Sequence, residues 1–124
     1  GGLVGNSRRR ELVTRVGAGG LLALSETGVL SGLTQLNVWT SGTIGPEGVR
    51  AFARPTALKH LFLGGGDVGD DGARVIAGSA GLAGLHSLRV TANRVGAAGM
   101  LALLASPVLR NLRELDLFNN AVSW

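Results

Sequence analysis

The sequence predicts an α/β solenoid: parallel strands laid side by side, each followed by a helix, wound as a right-handed β-α superhelix. Two recurring patterns predict it. Segments of the form L-x-x-L-x-[LV]-x-x-[N/S/G] open at Leu33 (LTQLNVWTS), Leu58 (LKHLFLGGG), Leu85 (LHSLRVTAN) and Leu112 (LRELDLFNN), at intervals of 25, 27 and 27 residues. An aliphatic-Gly-x-x-Gly pattern rides on the same period, as IGPEG from Ile44, VGDDG from Val68 and VGAAG from Val95, with VGAGG at Val16 as an earlier copy. Self-similarity at a period of 20–50 residues is the signature of a stacked-repeat architecture.

Each element has a local reason. In a strand, successive side chains point to opposite faces. That sets Leu36 and Val38, Leu61 and Leu63, Leu88 and Val90, and Leu115 and Leu117 toward a core. Parallel strands need a crossover, normally a helix. The helix after Ile44 opens with Pro46, a good first-turn residue. The next opens with Asp70 and Asp71, where the macrodipole favours acid. Val75, Ile76, Met100, Leu101 and Leu104 are expected to form the buried stripes of the last two helices.

On these motifs the chain resembles the leucine-rich repeat family, in its long ribonuclease-inhibitor-like subtype. The resemblance is close from Leu33 to Trp124 and loose over the first 32 residues. It implies a parallel sheet on a concave face, helices on a convex face, and a ladder of turn asparagines bonded to neighbouring backbone. Asn93 and Asn120 occupy the ladder position, Ser41 and Gly66 replace two rungs, and Asn6 is a candidate for another.

The whole chain is expected to be one repeat domain: an irregular entry repeat over 1–32, repeats from 33, 58 and 85, and a partial one over 112–124. LVGN at Leu3 resembles the tail of an earlier leucine strand. SRRRELVT, from Ser7, reads as an insertion or a helical entry segment. On such a helix Glu11 would pair with Arg8 and Arg15. We expect this irregular repeat to cap the solenoid in part. At the other end Leu112, Leu115, Leu117 and Val122 have no following repeat, and strand 112–118 would leave an open edge. The expectation is that the chain is a fragment, or that it self-associates through this end, with Trp124 folding back as a lid.

One stretch raises a competing reading. LGGGDVG contains Gly64, Gly66 and Gly69 as a G-x-G-x-x-G, the spacing of a dinucleotide-binding loop. Three features argue against a nucleotide. The glycines of the VGDDG pattern recur as Gly45 and Gly48, and as Gly96 and Gly99. Asp70 and Asp71 stand where a pyrophosphate would sit. No acid follows about 20 residues on to hold a ribose.

Composition narrows the classes further. With 45% apolar residues and only 4% aromatics, the core must be built from Leu, Val and Ala. The absence of Cys excludes a disulfide framework and thiolate zinc. That fits a cytoplasmic location, as does the lack of a signal-like leader. No run approaches the ~18–20 apolar residues of a membrane span. Net charge is +4, but the dense basic cluster is confined to Arg8–Arg10, with Arg15 nearby, so the balance weighs against nucleic acid as the partner. Nothing pairs a nucleophile with an oriented base, and His60 and His86 fall at different repeat positions, so neither catalysis nor a metal site is expected. No cofactor is expected either.

The outward strand positions define three rows: Gln35, His60, Ser87 and Glu114; Asn37, Phe62, Arg89 and Asp116; Trp39, Gly64, Thr91 and Phe118. Trp39 and Phe62 should lie close together, with Gly64 making room for the indole. Arg89 and Asp116 should pair across adjacent strands. The function expected is a non-catalytic protein-interaction module. Its partner would meet the concave face at Trp39, Phe62, His60, Arg89, Asp116, Glu114 and Phe118. The aromatic pair has a second reading, in which the rings merely cover each other and the turn. Two other functions stay open: a structural spacer or end-to-end assembly unit, and, by family analogy, a regulatory repeat domain of a GTPase or nucleotide-binding switch.

Overall fold

Six strands form one sheet in the order β1-β2-β3-β4-β5-β6 in the computed structural model, which describes residues 3–6, 10–40 and 42–120. Expectations that rest on Arg8, Arg9, Ser41, Val122 and Trp124, and on the side chain of Asn6, lie outside the described residues. The strands are β1 (Leu3–Asn6), β2 (Glu11–Thr14), β3 (Gln35–Trp39), β4 (His60–Gly64), β5 (Ser87–Thr91) and β6 (Glu114–Asp116). From β2 to β6 every neighbouring pair is parallel. The helices are α1 (Ala18–Glu26), α2 (Gly45–Gly48), α3 (Gly69–Ala77) and α4 (Ala97–Leu104).

Leu36, Val38, Leu61, Leu63, Leu88 and Val90 are buried, as alternation requires. Leu115 and Leu117 are only half-buried. Between α2 and β4 the chain runs through a 3-10 segment, Val49–Ala53, in place of further α-helix. Arg54 is extended, with ψ 155°, because Pro55 follows it. A 3-10 helix rises about 2.0 Å per residue against 1.5 Å for an α-helix. This stretch of the 25-residue repeat therefore spans its length with fewer residues.

The entry segment differs from both sequence readings. Glu11–Thr14 is a strand, not a helix, and it pairs parallel with β3, Leu12 opposite Leu36. Glu11 and Arg15 therefore share no helical turn. Leu3–Asn6 pairs antiparallel with β2, so it closes a hairpin over the sheet edge instead of adding a further parallel repeat. Alternation in ELVT, with Leu12 and Thr14 buried, is the reason a strand wins.

A second correction concerns α4. Leu101 and Leu104 are exposed, and Leu103 is the residue that enters the core. The helix packs on α3 through Gly99, where an added Cβ would stand 3.0 Å from Ala73 Cβ. Gly99 and Leu103, four apart, define the buried face, which leaves Leu101 and Leu104 on the other side. Asp70, in the first turn of α3, also serves α4. Its Oδ1 accepts from the backbone N–H groups of Gly96 (2.7 Å) and Gly99 (3.0 Å), which satisfies donors that the helix start leaves open.

The glycines of the apparent nucleotide loop each have a structural reason. Gly65 is left-handed at φ 70°, and the equivalent residues of the next two repeats, Ala92 (φ 55°) and Asn119 (φ 57°), adopt the same conformation. The turns after β4, β5 and β6 share it. A Cβ on Gly66 would meet Ile44 Cδ1 at 2.8 Å. Gly69, at φ 66°, matches Gly45 at φ 61°. Gly96 departs from that pattern, with φ −101°.

Candidate functional site

The strand register builds the expected rows. Gln35 stands opposite His60, His60 opposite Ser87, and Ser87 opposite Glu114; Asn37, Phe62, Arg89 and Asp116 follow in the next row. β2 extends both rows with Glu11 opposite Gln35 and Val13 opposite Asn37, a contribution the sequence reading missed. The alternation of ELVT was the available signal.

Trp39 and Phe62 touch, with ring centroids 4.7 Å apart and planes tilted by 49°. Gly64 lies beneath them: a Cβ there would come 2.9 Å from Phe62 Cε2 and 3.1 Å from Trp39 Cε3. The pair stays open to solvent, since Trp39 is 51% exposed and Phe62 half-buried. A groove of about 410 Å³ runs beside it, lined by Gln35, Asn37, Trp39, His60, Phe62 and Arg89 among others.

The expected Arg89–Asp116 pair does not form, although the two residues are register partners. Arg89 Nε bonds Glu114 Oε1 instead, at 3.1 Å, with both side chains half-exposed. Asp116 turns to its own backbone, where its Oδ1 accepts from Phe118 N at 2.9 Å. The shorter acid closes a local turn, while the longer one reaches the guanidinium. Phe118 follows β6, is 68% exposed, and is not brought to the other two aromatic rings. It lines a separate open depression with Arg89, Glu114 and Asn119.

His60 and His86 are closer than their repeat positions suggest. Their rings meet edge to face, centroids 6.4 Å apart, because a residue just before β5 lies beside the first residue of β4. Burial, and after it the charges of Arg113, Lys59 and His60, hold the His86 pKa below the ordinary histidine value. Among the described residues no three His, Cys, Asp or Glu side chains gather as a metal cage would require. None of the described helices is long and apolar enough to cross a membrane.

The Leucine Rich repeat family model matches residues 55–77 and 108–123. The first match spans β4, its turn and α3; the second covers β6. With five parallel strands and helices alternating between them, the fold is an α/β leucine-rich repeat solenoid. No curated protein matches the sequence.

Proposed function

We propose that this chain is a non-catalytic interaction module that binds a protein partner on its strand face. The observation that carries this reading is the Trp39–Phe62 pair. It is a large aromatic surface held in the open by a glycine, on a face whose other residues are mostly polar. Aromatic anchors ringed by polar groups concentrate binding energy at interfaces. His60, Arg89, Glu114 and Asp116 supply the polar contacts around the anchor, and Phe118 a separate apolar one. The match to a repeat family supports an interaction role, and the repeat lengths and turn asparagines support the ribonuclease-inhibitor-like subtype.

The test is a double substitution, Trp39→Ala with Phe62→Ala, assayed by recovery of bound protein from a lysate. We expect recovery to fall at least tenfold while the melting transition remains cooperative, since removing two hot-spot side chains costs about 2 kcal/mol or more. Undiminished recovery by a folded variant sinks the reading.

One observation favours a second reading, end-to-end assembly. Leu101, Leu104 and Phe118, at 60%, 63% and 68% exposure, all lie in the α4–β6 part of the fold. Sedimentation across a concentration series tests it. Association that Leu101→Glu with Leu104→Glu abolishes supports assembly, and a monomer at all concentrations removes it.

A further inference from the structure

We propose that the N-terminal rim of the sheet, where Arg10, Lys59 and Arg113 form a row of cations, docks an extended acidic segment of a partner protein. This rests on the interaction-module reading and names the chemistry of the partner.

The row is built by backbone geometry. Each member immediately precedes a strand, and the carbonyls of Arg10 and Lys59, like those of Thr34 and His86, each receive two N–H groups from the next repeat. Arg10 O accepts from Thr34 N at 2.9 Å and Gln35 N at 3.4 Å. Thr34 O accepts from Lys59 N at 2.8 Å and His60 N at 3.1 Å. Lys59 O takes His86 N at 2.8 Å and Ser87 N at 3.0 Å, and His86 O takes Arg113 N at 2.7 Å and Glu114 N at 3.1 Å. Five residues are thereby set side by side at the strand spacing of about 4.8 Å. The full cations fall on alternate members, so they recur about every 10 Å.

These cations are free to act. Arg10, Lys59 and Arg113 are exposed. The ion pairs found among the described residues, Asp71–Arg74, Arg89–Glu114 and Asp67–Arg94, use none of them. His86 lies between Lys59 and Arg113, and its lowered pKa comes first from burial and then from these two charges, which disfavour its protonation.

The spacing and the neighbouring charges favour a peptide over a nucleic acid. Glu11 and Glu114 directly follow Arg10 and Arg113, and would face a polyanion that carries a charge on every nucleotide. A peptide can place its carboxylates opposite the cations alone. A polyproline II chain has three residues per turn and rises about 3.1 Å per residue, so every third side chain recurs on one face at about 10 Å.

The experiment measures fluorescence anisotropy of a labelled peptide with Glu at every third position in a Ser/Pro background. The same peptide with Gln for Glu and a labelled oligothymidylate of similar length are run beside it. We expect the Glu peptide to bind in a salt-sensitive manner and the Gln peptide not to bind. Lys59→Gln with Arg113→Gln should weaken binding about five- to tenfold, and Lys59→Arg with Arg113→Lys should bind as the parent does. Peptide binding should also raise the His86 titration midpoint followed by NMR. Equal binding of the Glu and Gln peptides overturns the proposal. Tighter binding of the oligothymidylate overturns it too, and assigns the row to nucleic acid. If the Trp39/Phe62 double variant loses its protein partner while the rim variant keeps both partner and peptide, the rim proposal falls and the strand-face reading stands. If the rim variant alone loses partner and peptide, the rim proposal stands and the strand-face reading falls.

Discussion

The turn after β4 and the turn after β5 trace nearly the same path with opposite chemistry. In the later turn a side chain does the holding. Asn93 is fully buried; its Oδ1 accepts from Gly66 N (2.7 Å) and Val68 N (3.2 Å), and its Nδ2 donates to Leu63 O (2.8 Å) and Thr91 O (2.7 Å). Asn120 repeats the arrangement one repeat on, accepting from Asn93 N (2.9 Å) and Val95 N (3.0 Å). In the earlier turn Gly66 stands in the asparagine's place. The bond from Gly45 N to Gly66 O (2.9 Å) has its equivalent in Gly69 N to Asn93 O (2.8 Å); what differs is that Gly66 O also accepts from Ile44 N (2.8 Å), and the side chain of Ile44 fills the space that an asparagine would have used. The lesson is that a rung is a requirement for satisfied backbone groups and filled volume. A polar side chain meets it, and so does a glycine carbonyl combined with an aliphatic neighbour.

The broadest way to break this comparison is to remove the strand beneath both turns. Leu88→Asp puts an unpaired charge into the centre of the core. With a lost leucine costing about 2–5 kcal/mol and a buried unpaired charge about 3–5 more, circular dichroism should show an unfolded chain at 25 °C. A cooperative melt would mean that Leu88 does not point inward.

Asn93→Ala comes next and breaks one turn only. It strands the N–H groups of Gly66 and Val68, at about 1–3 kcal/mol for each unsatisfied buried group. We expect a total loss of about 3 kcal/mol or more in urea denaturation. A loss below about 1 kcal/mol would show that the ladder is dispensable.

Gly66→Ala probes the other turn by volume alone. The added methyl overlaps Ile44, and overpacking of this kind costs about 1–3 kcal/mol. Adding Ile44→Ala should recover part of the overlap penalty, giving a favourable coupling in the double-mutant cycle. Strict additivity would mean that Ile44 does not fill the missing rung.

The smallest effect sharpens the comparison from the opposite side. Ala92 holds a left-handed conformation where its counterpart is Gly65. An L-residue pays about 1–2 kcal/mol there, and part of that is offset by the greater unfolded-state entropy of glycine. Ala92→Gly should therefore stabilise the chain by about 0.5 kcal/mol. Destabilisation would mean that the alanine methyl is making a contact worth more than the strain.

Much of the strand face was legible because it follows from period and parity. Leu36, Leu61 and Leu88 are one pattern repeated, and their inward direction dictates the outward rows that carry Trp39, Phe62 and Arg89. The partner of Arg89 was not legible. Glu114 and Asp116 both flank it, and only side-chain reach and the turn at Phe118 separate them. The nearness of His60 and His86 was hidden as well, since a position-by-position reading places them in different rows. The exposed leucines of α4 were misplaced because a helix made almost entirely of Ala, Gly, Leu and Met carries no polar face to orient it.

By itself, the sequence determined the repeat, its length, the alternation of strand and helix, and the glycine that opens space for the aromatic pair. Those are properties of spacing, and spacing is written along the chain. Only the tertiary structure decided that the entry segment closes as an antiparallel hairpin, that Asp70 of one repeat serves the helix of the next, and that lone cations from separate repeats line up on one rim. Each of these joins residues from different segments of the chain, and backbone hydrogen bonding between neighbouring strands sets their distances.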